Sequence, residues 1–297
     1  MPARLGARAR LTRTRVRVAW GNANRKRTPP ARTHTACGAP GARTTRGAAI
    51  RGHTHLCALP LALFLALAIC VAPASATQSS TTAVIAPLLS PDRLGAEGAL
   101  GLTIRYSSDE STVPLPVISS VLRFPAGLGV EIPHLRSCSP TRLRIQGPKA
   151  CPPQSLLGHG HAIAEAQAGS QIVSEGIDLT LFVGPFHNLQ PTFEILGRGY
   201  SPFDESVVLT GTVRPDNPPY GEDLVLSIPP IPTLPLEPDA SIVSMSLTVG
   251  TAKPRHPITV NTIVVPPNCP AGGFPFAAEF TYADGSTSSA LASAACP

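Results

Sequence analysis

The chain is predicted to be all-β: a Pro-rich antiparallel β-sandwich with two local disulfides, preceded by a disordered basic leader and a signal peptide. Three observations predict this. Twenty-eight of the 34 prolines fall in 77–297, about one residue in eight, where about 5% is usual, and long helices are hard to place among them. Between the prolines stand runs of 6–10 residues in which apolar and polar side chains alternate with period two, the pattern of half-buried strands. Four cysteines, Cys138, Cys151, Cys269 and Cys296, follow the leader at spacings that suit local bridges.

The leader explains the overall charge. Residues 1–76 hold 13 of the 24 Lys and Arg and none of the 18 Asp and Glu. The remainder, 77–297, has 11 basic against 18 acidic residues and is net acidic. No basic stripe for phosphates exists in it, so no nucleic acid is expected as a partner. Residues 1–55 are rich in Arg, Ala, Thr, Pro and Gly without apolar periodicity; they read as a disordered basic extension or as a start site assigned too far upstream. Residues 56–76 read as a signal peptide, with the uncharged run Leu56–Val71 and the small-residue site Ala74-Ser75-Ala76, so cleavage falls between Ala76 and Thr77. Read instead as an uncleaved span, this segment would be the only membrane attachment. A lipoprotein reading at Cys70 meets Ile69 where a small residue is wanted. On each reading the body is extracytoplasmic, secreted or associated with the cell envelope.

The body, 77–297, should form one extracellular sandwich. The clearest strands are Ile242–Val249, with Val243, Met245, Leu247 and Val249 on one face, and Phe274–Tyr282, with Phe274, Phe276, Ala278, Phe280 and Tyr282 on one face. Asp284-Gly285 supplies a tight turn and Ser286–Ala295 returns as a partner. Further strands are expected at Ala99–Tyr106, Val117–Phe124, Thr141–Ile145, Ile177–Val183, Thr192–Leu196, Val207–Val213, Leu224–Ile228 and Ile258–Val265. His161–Ala168 has Ala-rich helical propensity but alternates acceptably and is read as a strand. Pro215–Tyr220 and Pro229–Pro238 are candidate linkers. The second has five prolines in ten residues and favours an extended path, so two sandwiches split near 229–238 are the alternative.

The four cysteines allow three pairings. Cys138 and Cys151 are 13 residues apart and Cys269 and Cys296 are 27 apart across the predicted hairpin, which favours the two local bridges. Each would stabilise by about 3 kcal/mol in the loop-entropy account. No C-x-x-C pair proposes a metal in their place.

A resemblance then enters on motifs spread over most of 90–297. Phe124-Pro125-Ala126-Gly127-Leu128, Cys138, Gly147, Ala150-Cys151-Pro152-Pro153-Gln154-Ser155 with Gly158, Gly160 and Ala162, Pro266 with Cys269-Pro270, and Phe280 with Tyr282-Ala283-Asp284-Gly285 resemble those of secreted, uncharacterised actinobacterial β-rich proteins. The resemblance implies secretion, a bacterial source and a β-fold, and brings no activity with it.

Chemistry is sparse. No G-x-S-x-G elbow for a serine nucleophile occurs. The acidic pairs Asp109-Glu110, Asp204-Glu205 and Glu222-Asp223 stand in turn-like contexts and read as solvated loop charges. The most pointed feature is Gly158-His159-Gly160-His161: His159 and His161 share one strand face, with Glu165 on the same parity, and are weak candidates to ligate a metal ion. The expectation is nevertheless no metal, no cofactor and no catalytic residue. The reading is a secreted, non-catalytic extracellular or cell-envelope protein with a structural or adhesive role. The alternatives are a binding module for an envelope glycan or protein, and a metal-dependent hydrolase using His159 and His161.

Overall fold

The computed structural model describes Arg17–Val18 and residues 80–296, apart from 92, 110–111, 132–135, 189, 203, 234–236 and 251–261. The signal-peptide and leader readings, including Ala76 and Thr77, lie outside the described residues, save that β1 (Arg17–Val18) pairs with β5 (Gly129–Glu131). The remaining strands are β2 (Thr81–Ser90), β3 (Glu97–Ser108), β4 (Val117–Pro125), β6 (Leu156–Ala168), β7 (Gln171–Val183), β8 (Thr192–Gly199), β9 (Ser206–Pro215), β10 (Tyr220–Ser227), β11 (Ser241–Gly250), β12 (Thr262–Val264), β13 (Phe274–Tyr282) and β14 (Thr287–Ala294). Among the described residues one α-helix, α1 (Pro140–Gln146), interrupts them, followed by the single 3-10 turns Pro148–Ala150 and Pro153–Ser155.

All pairings are antiparallel and belong to one sheet bent round one core. The main path runs β2, β3, β11, β6, β7, β8, β9, β10, β4, β13, β14, and β12, β5 and β1 extend from the first residues of β3. The ends of the path meet. β14 lies beside β2, and the Tyr106 ring of β3 packs edge-on against Phe280 of β13 at 5.1 Å between centroids. Ten successive reversals along the path leave β14 running in the same direction as β2, so the last seam cannot be closed by another antiparallel ladder. β11 lies between β3 and β6, so strands from both sides of 229–238 share the sheet and the core. The other proposed linker, Pro215–Tyr220, is the hairpin turn between β9 and β10, held by the Tyr220 N–H donating to the Asn217 carbonyl.

Alternation drives burial as expected. Phe274, Phe276, Ala278, Phe280 and Tyr282 all point into the core. The turn after them forms on Asp284-Gly285, with Gly285 at φ +84° and the Asp284 carboxylate accepting from the Ser286 N–H and hydroxyl at 2.8 and 2.6 Å. Beyond Leu157, which is buried in the core, β6 turns inward only small residues: Gly158, Gly160, Ala162, Ala164 and Ala166. A Cβ at Gly158 or Gly160 would collide with the backbone carbonyl oxygens of Thr248 and Ser246 on β11. Glycine at these positions is therefore what lets β6 and β11 approach.

One expected strand is a helix. Thr141–Ile145 lies in α1, where Pro140 takes a first-turn position that needs no N–H. Leu143 is fully buried while Ile145 is 75% exposed, so the two share a strand's parity but not a helix's face. The loop around α1 is closed by the Cys138–Cys151 disulfide and covers the outer face of β7–β9. Cys138, Leu143 and Cys151 pack there on Phe182, Leu196 and Val208 as a second, smaller core. The other predicted bridge, Cys269–Cys296, is also present and ties the approach to β13 to the end of the chain beyond β14.

Candidate functional site: an apolar cavity with one buried carboxyl

β10 enters the core with Glu222, Leu224 and Leu226 facing inward and Asp223 and Val225 facing out. Glu222 is opposite Phe124 of β4 and Pro215 of β9. The expectation that Glu222 and Asp223 are solvated loop charges therefore fails for Glu222, which is only 9% exposed. Asp223 points the other way and accepts from the Arg214 guanidinium at 3.1 and 3.0 Å on the outer surface. Strand parity separates two adjacent carboxylates into different solvents.

The Glu222 side chain borders a cavity of about 80 Å³ inside the sheet. Its wall is assembled from ten strands, with Leu100, Phe124, Phe193, Leu224 and Met245 representative of its chemistry. Among the described residues of that wall, Glu222 alone has a polar side chain. Its Oε1 is buried and has no hydrogen-bond partner. Burial in this apolar setting pushes the carboxyl up to about 9, because the charged form loses water and gains nothing in return. At neutral pH it is a carboxylic acid, able both to donate and to accept.

Glu194 on β8 shows the contrast. It is buried beneath the α1 loop, but the Thr210 hydroxyl donates to it at 2.7 Å. Burial raises its pKa, while that hydrogen bond and the charge of Arg144 oppose the rise. Glu194 is thus a satisfied structural acid, and Glu222 is a buried acid facing space.

The sequence-derived metal candidates lie on the outer face of β6, as parity predicts. His161 Nδ1 is 2.8 Å from Asp178 Oδ1 on β7, and the Tyr200 hydroxyl donates to Asp178 Oδ2 at 2.8 Å. That hydrogen bond is the first cause holding the Asp178 carboxyl below its ordinary value, with His161 adding to it. The Arg198 guanidinium lies 5.4 Å over the Tyr200 ring. His159 is opposite Thr180 and Thr248, and Glu165 opposite Ser174 and Ser241. Glu165 is four residues from His161, about 13 Å along a strand. Among the described residues no group of three or more His, Cys, Asp and Glu gathers in metal-binding distance.

A third feature is a hollow of about 370 Å³ on β4, β13 and β14. Ser119 is opposite Ser227 and Thr281, and Thr281 is opposite Thr287, which sets a row of hydroxyls across four strands. Glu279 at its border pairs with Arg123 at 2.8 Å.

Glu222 was the residue missed by sequence reasoning. The signal was present: Tyr220–Ser227 places Glu222, Leu224 and Leu226 on one parity, and a carboxylate in an apolar stripe is the pattern of a buried polar group. No protein-family profile, curated protein or solved structure matches the chain.

Proposed function

We propose that the protein is a secreted, non-catalytic binding protein that takes a small apolar molecule into the interior of its sandwich. The observation that carries this reading is the lone carboxyl of Glu222, unpartnered in an otherwise apolar wall. Small-molecule sites have this composition: mostly apolar lining with one or two polar groups that orient the ligand. The two disulfides fit an oxidising, extracytoplasmic compartment. Cleavage between Ala76 and Thr77 would deliver the body there, and the resemblance to secreted actinobacterial β-rich proteins points the same way. Native mass spectrometry of protein recovered from producer-culture medium tests the proposal. A stoichiometric small molecule, released by unfolding and reduced in occupancy when Glu222→Leu fills the space, is the expected result. Absence of any bound molecule, together with no thermal shift from small apolar compounds, would defeat it.

The outer hydroxyl row favours a second reading, a structural or adhesive contact with a cell-envelope glycan, since Ser and Thr hydroxyls both donate and accept. Retention of the secreted protein on isolated envelope glycan, lost when Thr281 and Thr287 become Val, would support that role.

A further inference from the structure

The cavity also specifies the chemistry of its occupant, given the proposal that the interior binds a ligand. Three properties of the site define it: size, lining and the single polar side chain. An apolar cavity of about 150 Å³ accommodates benzene, so one of about 80 Å³ has room for about three heavy atoms by proportion. Every side chain such a molecule meets is hydrocarbon or thioether, except the carboxyl-bearing side chain of Glu222.

We infer that the ligand is a short hydrocarbon ending in one neutral group that both donates and accepts a hydrogen bond, a primary alcohol or primary carboxamide, with that group seated on the Glu222 carboxyl. An alkane would offer the Glu222 carboxyl no partner, and a buried polar group without a partner is costly. An amine offers a partner but as a cation. Both its charge and a Glu222 carboxylate would then be desolvated in a wall that supplies no second hydrogen bond, and the mutual attraction of such a pair does not reliably offset that loss. A carboxylate ligand would bring a charge to a site with no cation in its wall. A neutral hydroxyl or amide avoids these costs and matches a carboxylic acid, which has one donor and acceptor capacity to offer.

The chain has only two methionines, Met1 and Met245, and Met245 is in the cavity wall. Its 13C-labelled ε-methyl therefore reports occupancy directly in the purified secreted protein. Xenon and ethane should move that resonance, because they probe the space and not the acid. Ethanol should move it with saturable binding at least tenfold tighter than ethylamine at pH 7, and acetamide at least tenfold tighter than acetate. Glu222→Gln should keep ethanol affinity within about threefold, and Glu222→Leu should abolish it. Ethylamine binding as tightly as ethanol, acetate binding as tightly as acetamide, or ethanol binding unaffected by Glu222→Leu would overturn the assignment of the head group while leaving the cavity intact. A Met245 signal indifferent to xenon and ethane would overturn the interior site itself. If Glu222→Leu does not fold, the wild-type comparison of alcohol, amine and carboxylate still decides the head group.

Discussion

At residue 222 the apolar pattern of β10 calls for a leucine and the chain places a glutamate. Its cost can be measured through pH. The unfolded chain ionises Glu222 near the ordinary carboxyl value of about 4.3, whereas the folded protein holds the carboxyl up to about 9. Between those values the folded state binds the extra proton, so this group makes stability fall as pH rises. Below about pH 4 both states are protonated and the contribution vanishes; above about 9 the loss is complete. The slope has a ceiling of about 1.4 kcal/mol per pH unit. Glu222→Gln mimics the protonated acid, so its stability advantage over the wild type, measured by urea unfolding at matched pH, should grow from pH 5 to pH 9. A constant difference across that range would show that the carboxyl is not held neutral by the fold.

At the scale of elements, β6 shows why the Gly-His-Gly-His motif can be misread. Its histidines invite a metal reading, while the structure gives the glycines the constrained role, since a Cβ at Gly160 would meet the Ser246 carbonyl of β11. Gly160→Ala should destabilise the protein by about 1–3 kcal/mol, the usual range for overpacking. Gly176→Ala on β7 is the control. A Cβ there meets nothing within 4 Å, and relief of the glycine entropy cost should leave stability unchanged or raised by about 0.5 kcal/mol. Equal effects of the two substitutions, read from thermal melts, would remove the close-approach argument. Legibility in the sequence follows the same physics. Phe274–Tyr282 was readable to its last residue because four aromatic side chains and Ala278 share a parity and an Asp-Gly turn ends the run. Thr141–Ile145 was not, because five residues carry too little periodicity to separate a strand from one helical turn opened by Pro140. β2 was missed: Pro87 and its outward Val84 and Leu88 blur the alternation of Thr81, Ala83, Ile85 and Leu89. For Glu222 the parity with Leu224 and Leu226 was readable locally, but not which strands and which space that face meets, because those depend on the pairing partners. Pairing partners are long-range information that no local pattern contains.

For the molecule as a whole, connectivity decides how the body must unfold. β11 follows the proline-rich stretch 229–238, yet it is inserted between β3 and β6, which precede that stretch by many residues. β13 and β14 likewise complete a layer begun by β4. Neither part can therefore bury its strands alone. A chain ending at 232 keeps β3 and β6 but loses the strand that joins them and the β13 face that meets Tyr106. It should expose the apolar faces of both, bind a reporter dye such as anilinonaphthalene sulfonate, and melt without a cooperative transition. The intact body should show one transition, coincident by far-UV circular dichroism and by tyrosine fluorescence, because its strands share one core. The cut chain has a direct bearing on the interior site too, since Met245, Leu247 and Val249 of β11 are part of the cavity wall. Two separate melting transitions in the intact body, with the earlier one reproduced by the chain ending at 232, would show that each part folds by itself and that the cavity is not held by a single cooperative sheet.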